Sequence, residues 1–182
     1  MKITLLCSLA FIVSLQLAHS QEPAANPRPA GRPETTITLD LGADGKKTMT
    51  FPKSLYVTPE GWITLLVGEE HTIEFDIVDG QPKNLRYVGD KSKKGKPGTG
   101  RLTVSLRQDK GVTTLIRRAD SPKPLAMRCL TQSYGEDKLR QTNVNPVGKL
   151  PDGDSWGDPV CSVMLGELRF AEEPKEEAKT PK

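Results

Sequence analysis

Apolar and charged positions alternate most regularly between Trp62 and Val88. Ile73, Phe75 and Ile77 alternate with Glu74 and Asp76, the period of two that gives a strand one apolar and one charged face. Asp79, Gly80 and Pro82 interrupt the run, after which Leu85 and Tyr87 share a face opposite to Arg86. The apolar faces coincide if Phe75 stands opposite Leu85 and Ile73 opposite Tyr87, which sets Glu74 across from Arg86. That register requires a connection of three or five residues rather than two. Upstream, Trp62 to Val67 is denser in apolar residues and predicts a more buried strand.

Turn signals divide the rest of the chain into short extended runs. Thr35 to Leu41 reads as a strand closed by Gly42-Ala43-Asp44-Gly45. Lys47 to Phe51 and Ser54 to Thr58 flank Pro52, and Pro59-Glu60-Gly61 turns the chain into Trp62. Leu102, Val104 and Leu106 alternate with Thr103 and Ser105. Asp109-Lys110-Gly111 has the composition of a type I turn followed by a left-handed glycine, which pairs Gln108 with Val112 and Val104 with Ile116. Leu125 to Leu130 follows, and Pro159 to Leu165 with Glu167 to Phe170 make one or two final strands bent at Gly166. About eight to ten strands without a helix predict an antiparallel β-sandwich, with a barrel as the alternative. The sandwich is immunoglobulin-like in architecture only: Trp62 precedes both later cysteines and Trp156 sits in a Gly/Pro loop, so the Cys–Trp–Cys hallmark is absent.

Both ends fall outside this pattern. Residues 1–20 read as a signal peptide, with Lys2, an apolar run to Leu17 and a small-x-small site at Ala18-His19-Ser20. The apolar run is roughly 15 residues, short of the ~20 that cross a bilayer, and no later stretch replaces it. Residues 21–34 hold four prolines and read as a disordered linker; residues 172–182 read as a disordered charged tail. The folded unit is therefore residues 35–171 of the 182, and the expected protein is soluble and exported, secreted or periplasmic. In that compartment Cys129 and Cys161 predict a single disulfide, contributing on the order of 3–4 kcal/mol. The alternative is two buried free thiols.

The chemistry is mostly one of exclusions. His71 is the only histidine after residue 20, too few for a blue-copper or common zinc site within one chain. A Ser–His–Asp triad needs only one histidine, yet no Gly-x-Ser-x-Gly elbow accompanies it, and His71 reads as an ordinary strand-edge residue. The loop from Gly89 to Gly100 fails the phosphate-loop spacing because Pro97 follows Gly95-Lys96. It carries Lys91, Lys93, Lys94 and Lys96, with Arg101 close behind. Eleven basic residues lie from Lys83 to Arg118 against Asp90 and Asp109, while eight acids lie from Asp40 to Asp79 against three lysines. Either these strands are sheet neighbours whose outer faces pair, or the basic residues attract a polyanion. Nucleic acid is not expected, since the loop lacks interleaved aromatics.

Residues 131–158 show no strand periodicity, and a loop that long in a compact domain is commonly functional or disordered. Within it Asp152, Asp154 and Asp158 make a damaged calcium loop, with Trp156 at the fifth position and Val163 where a bidentate glutamate belongs. Asp/Gly turn chemistry accounts for the same residues without a metal. Tyr134 and Trp156 offer stacking faces for a sugar, or pack the loop down. The reading is a non-enzymatic exported binding module for a protein or a polyanionic or polysaccharide ligand, needing no cofactor. The ligand residues would be Lys91, Lys93, Lys94, Lys96, Arg101, Tyr134 and Trp156. The alternative is a secreted hydrolase using the carboxylates of the 131–158 loop.

Overall fold

The computed structural model describes residues 30–89 and 97–172. The proposed signal peptide, Lys91, Lys93, Lys94, Lys96 and most of the proposed tail lie outside the described residues. Thirteen strands and one 3-10 turn form the described chain, with no α-helix among the described residues. One sheet of five strands combines β6 (Glu70–Val78), β7 (Gln81–Gly89), β8 (Thr99–Asp109), β9 (Val112–Asp120) and β12 (Asp152–Trp156) in the order β12-β9-β8-β6-β7. A second, of four, combines β5 (Ile63–Leu66), β10 (Leu125–Ser133), β11 (Arg140–Thr142) and β13 (Val160–Phe170) in the order β11-β10-β13-β5. Pairing is antiparallel throughout and neither sheet closes on itself, so the sandwich stands and the barrel does not.

The core lies between the two sheets and is aliphatic. Ile73, Phe75, Leu102, Val104, Leu106 and Leu115 from the larger sheet meet Ile63, Leu65, Leu125, Cys129, Val163 and Leu165 from the smaller. β2 (Thr35–Asp40) and β3 (Lys46–Phe51) form a separate hairpin. It lays Ile37 and Leu39 over Leu66 and Cys161 in a second small cluster.

The β6–β7 hairpin keeps the expected pairs Ile73 with Tyr87 and Glu74 with Arg86, but over a two-residue turn. Val78 faces Gln81, and Asp79 (φ 52°) and Gly80 (φ 69°) both adopt the left-handed region of a type I′ turn. A bulge restores the apolar register: between Glu74 and Asp76 strand β7 carries one extra residue, where Asn84 takes φ 52°. Phe75 falls at this bulge instead of squarely opposite Leu85.

No such bulge rescues the β8–β9 hairpin. Its turn is also the two-residue kind, Lys110 (φ 47°) and Gly111 (φ 83°), because that turn matches the right-handed twist of the strands. Asp109 therefore faces Val112, and Val104 faces Arg117 rather than Ile116. The one-residue slip sends Leu115 and Ala119 inward, exposes Val112, and buries Arg117 completely.

Two expected boundaries move. Residues 131–158 are not one structureless loop, since β10 continues to Ser133, β11 pairs with β10, Val147 bridges Leu125, and β12 pairs with β9. The linker ends sooner than expected: β1 (Gly31–Arg32) pairs with β4 (Ser54–Leu55), and Arg32 is buried. Arginine on an extended strand buries when its donors are met, and here all of its bonded partners lie in the domain.

Aromatic rings cover two strand glycines. Gly100 stands opposite Phe75, and a Cβ there would fall within the ring of Phe75. Phe75 is fully buried and has no room to withdraw. Gly100→Ala is therefore expected to destabilise by about 1–3 kcal/mol, as overpacking does, measured by urea denaturation. A change within about 0.5 kcal/mol, typical of a surface position, would show that the ring is not confined.

Candidate functional site

The charge segregation resolves first into a ladder on the outer face of the larger sheet. Arg86 donates to Asp76 at 2.8 and 2.9 Å and to Glu74 at 3.0 Å, while Arg101 reaches the other oxygen of Glu74 at 3.4 Å. Arg107 pairs with Glu70 at 3.2 Å. Acidic β6 lies between basic β7 and β8, so these cations balance their neighbours. Arg101 is thus a partner of Glu74 within the sheet rather than part of an open basic patch.

The residues of the former long loop separate as well. Asp152 and Asp154 lie on β12 and both accept from Arg117, whose third contact is the carbonyl of Asn145 at 2.7 Å. Asp158 lies beyond the strand and is exposed. A calcium loop is therefore not formed: the chain is extended here, and a guanidinium holds two of the three carboxylates. No three His, Cys, Asp or Glu side chains gather as metal ligands among the described residues. Trp156 packs against the core, its Nε1 donating to Thr142 at 3.4 Å, while Tyr134 stays exposed at the opposite end of the segment.

Cys129 and Cys161 are free and buried, which corrects the expected bridge. Cys129 pairs with Leu165 across the sheet. Cys161 lies four residues farther along β13, roughly 13 Å at the rise of an extended strand, whereas a disulfide holds Cα atoms within about 7 Å. Burial pushes the Cys129 thiol up to about 12 despite the nearby Arg117. The Cys161 thiol is also raised by burial and donates to the carbonyl of Gln132 at 3.0 Å. Neither is a nucleophile at neutral pH.

His71 is not a strand-edge residue but the buried end of a network. Glu69 accepts from Arg32 through both oxygens at 2.6 and 2.7 Å, from the Leu66 amide at 2.7 Å, and lies 3.1 Å from His71 Nε2. Nδ1 of His71 donates to the Glu70 carbonyl at 2.9 Å. Tyr56 and Tyr87 stack at 4.1 Å beside the imidazole, and Arg32 lies over the Tyr56 ring. Both ring nitrogens are therefore engaged by oxygens of the backbone and of Glu69, leaving none to take a proton from a serine.

Two concavities among the described residues share one residue. An open groove of about 680 Å³ runs between β7, at the rim of the larger sheet, and the turn at Thr58–Gly61; Lys83, Leu85 and Tyr87 line one wall and Glu60 the other. Glu60 is held below its ordinary value by a hydrogen bond from the Thr58 hydroxyl. A shallower depression of about 480 Å³ lies on the outer face of the smaller sheet, lined by Arg128, Gln141, Asn143 and Arg169. Glu167 lines both. It stands where β13 carries an extra residue against β10, with φ 52°, and such bulges turn a side chain out of its regular direction. Sequence patterning missed this surface because its members come from five separate strands and turns. The one available signal was Gly166, already marked as a bend.

Comparison with protein-family models, curated proteins and solved structures finds no match to this chain.

Proposed function

We propose that the chain is a non-enzymatic binding module of an exported protein, and that an extended ligand lies across the surface divided by Glu167. The observation that carries the reading is the pair of adjoining concavities. Both are open and they meet at Glu167, as suits a polymer or an extended polypeptide, and neither is a closed pocket for a small substrate. Half-buried Leu85 and Tyr87 supply apolar contact, and Lys83 and Glu60 supply polar contact. The hydrolase alternative loses support because Asp152 and Asp154 are both engaged by Arg117 and His71 has no free nitrogen. Export rests on the sequence of residues 1–20. Among the described residues no helix is long and apolar enough to cross a membrane.

The test uses the full exported chain against a panel of soluble polysaccharides and a displayed peptide library. Retained ligands should bind without being shortened, and Leu85→Glu should weaken binding about tenfold, the 1.4 kcal/mol of one well-placed contact, measured per folded molecule because Leu85 also packs against the core. Steady release of reducing ends or peptide fragments by the parent overturns the non-enzymatic reading. Full-strength binding by the Leu85 variant removes the groove from it.

A further inference from the structure

We infer that the outer face of the four-stranded sheet binds a carboxylated polysaccharide, with the Trp62 indole as stacking platform and Arg128 and Arg169 as the selecting cations. This rests on the binding-module reading and names the ligand class.

Trp62 immediately precedes β5. The pairing of Leu165 with Ile63, carried one residue on, sets Trp62 beside Gly166. A Cβ at Gly166 would lie 2.5 Å from two atoms of the indole, so the ring rests directly on the glycine backbone. An aromatic side chain covering a strand glycine stabilises a sheet, which accounts for one face of the ring. Trp62 is only partly buried, and the adjoining polar residues are not explained by that cover.

The next strand places Arg128 opposite Gly166. Its Nε donates to Gln141 Oε1 at 3.1 Å and its Nη1 to Glu167 Oε1 at 2.9 Å. Three planar polar groups thus form a hydrogen-bonded, solvent-facing row on strands next to the glycine that the aromatic ring covers. A pyranose is complementary to that arrangement: one face presents C–H groups to an aromatic surface, and the rim presents hydroxyls in pairs to planar amide, guanidinium and carboxylate groups. Strands about 4.8 Å apart repeat these functions across the sheet, which suits a chain of sugars rather than one.

Charge selects among sugars. Glu167 balances Arg128, whereas Arg169, on the same depression, makes no ion pair among the described residues. The local excess is positive and exposed, and guanidinium groups favour carboxylates through paired hydrogen bonds.

Polygalacturonate and its methyl-esterified form share one sugar backbone and differ in charge, so they isolate the two halves of the inference. The parent should bind polygalacturonate at least tenfold more tightly than the ester at low salt, and the preference should shrink steeply as salt rises. Arg169→Gln should remove most of that preference without lowering the melting temperature. Trp62→Ala should weaken binding to both polymers about tenfold, while Trp62→Phe, which keeps a ring over Gly166, should retain most of it. In a Trp156→Phe background, the fluorescence of Trp62 should shift when polymer is added. Equal binding of the two polymers, or an Arg169 variant with undiminished preference, overturns the charge selection. Unchanged Trp62 fluorescence on a bound polymer overturns the platform. Binding of neither polymer overturns the whole inference, while the binding-module reading is judged separately through Leu85 and the groove.

Discussion

Arg117→Ala is expected to cost the domain about 3 kcal/mol, the lower end of the range for breaking a buried ion pair. The guanidinium is fully buried, while the side chains of Asp154 and Asp152 are 19% and 40% exposed. Water therefore recovers part of what the carboxylates lose, and the remaining cost comes from Asp154 and from the unfilled volume. Arg117 also bonds the Asn145 carbonyl, so its removal loosens β12 and the segment before it together. The native arrangement is itself imperfect, because Nε of Arg117 has no hydrogen-bond partner among the described residues. An apolar replacement that fills the space is accordingly expected to do better than alanine. Arg117→Met combined with Asp154→Asn should recover more than half of the loss, since it removes the buried charge and its less exposed partner and leaves only Asp152, which water reaches. Urea denaturation at neutral pH checks both variants. A loss below about 1 kcal/mol for Arg117→Ala, the ordinary size of a point mutation, would mean that the pair contributes little beyond packing.

Arg117 also shows what the chain's pattern could and could not reveal. Strand positions were legible because alternation reports burial directly, and the pairs Ile73–Tyr87 and Glu74–Arg86 followed from matching apolar faces. The hairpin turns were not. Asp79-Gly80 and Lys110-Gly111 both fold as two-residue turns, and choosing between these and longer turns depends on a single left-handed residue. In the first hairpin a bulge at Asn84 cancelled the error; in the second nothing did, and Arg117 replaced Ile116 inside. The same limit explains Arg32. A lone arginine among prolines carries no periodic signal, and its burial is decided by Glu69, thirty-seven residues away. The concave surface around Glu167 was equally hidden, because Arg128, Gln141, Glu167 and Arg169 meet only through strand pairing. The cysteines were misjudged for a related reason: their count is read from the sequence, but their four-residue offset is set by register.

Glu69→Ala should destabilise by about 3–5 kcal/mol at neutral pH, because it leaves Arg32 buried without its counter-charge. It also deprives the Leu66 amide and His71 of an acceptor. Arg32→Ala removes the other half of the same contact, so the double variant should fall well short of the sum of the two losses. The pH dependence follows from the carboxyl group itself. Burial opposes its ionisation, but hydrogen bonds from His71, the Leu66 amide and Arg32 outweigh burial and hold it below its ordinary value of 4.5. A carboxyl group depressed in the folded state binds fewer protons there than in the unfolded chain, so its stabilisation is complete above the unfolded value and declines as pH falls. The carboxyl's own contribution to the stability gap between parent and Glu69→Ala should accordingly be complete above about pH 6, where a normal carboxyl is fully ionised. The gap should narrow below the ordinary value and continue narrowing through the lower folded value. Comparing the two proteins at each pH cancels the titration of the remaining acids. A gap that stays constant into acid, or that widens there, would show that the ionised carboxylate of Glu69 does not hold β1 to the sandwich.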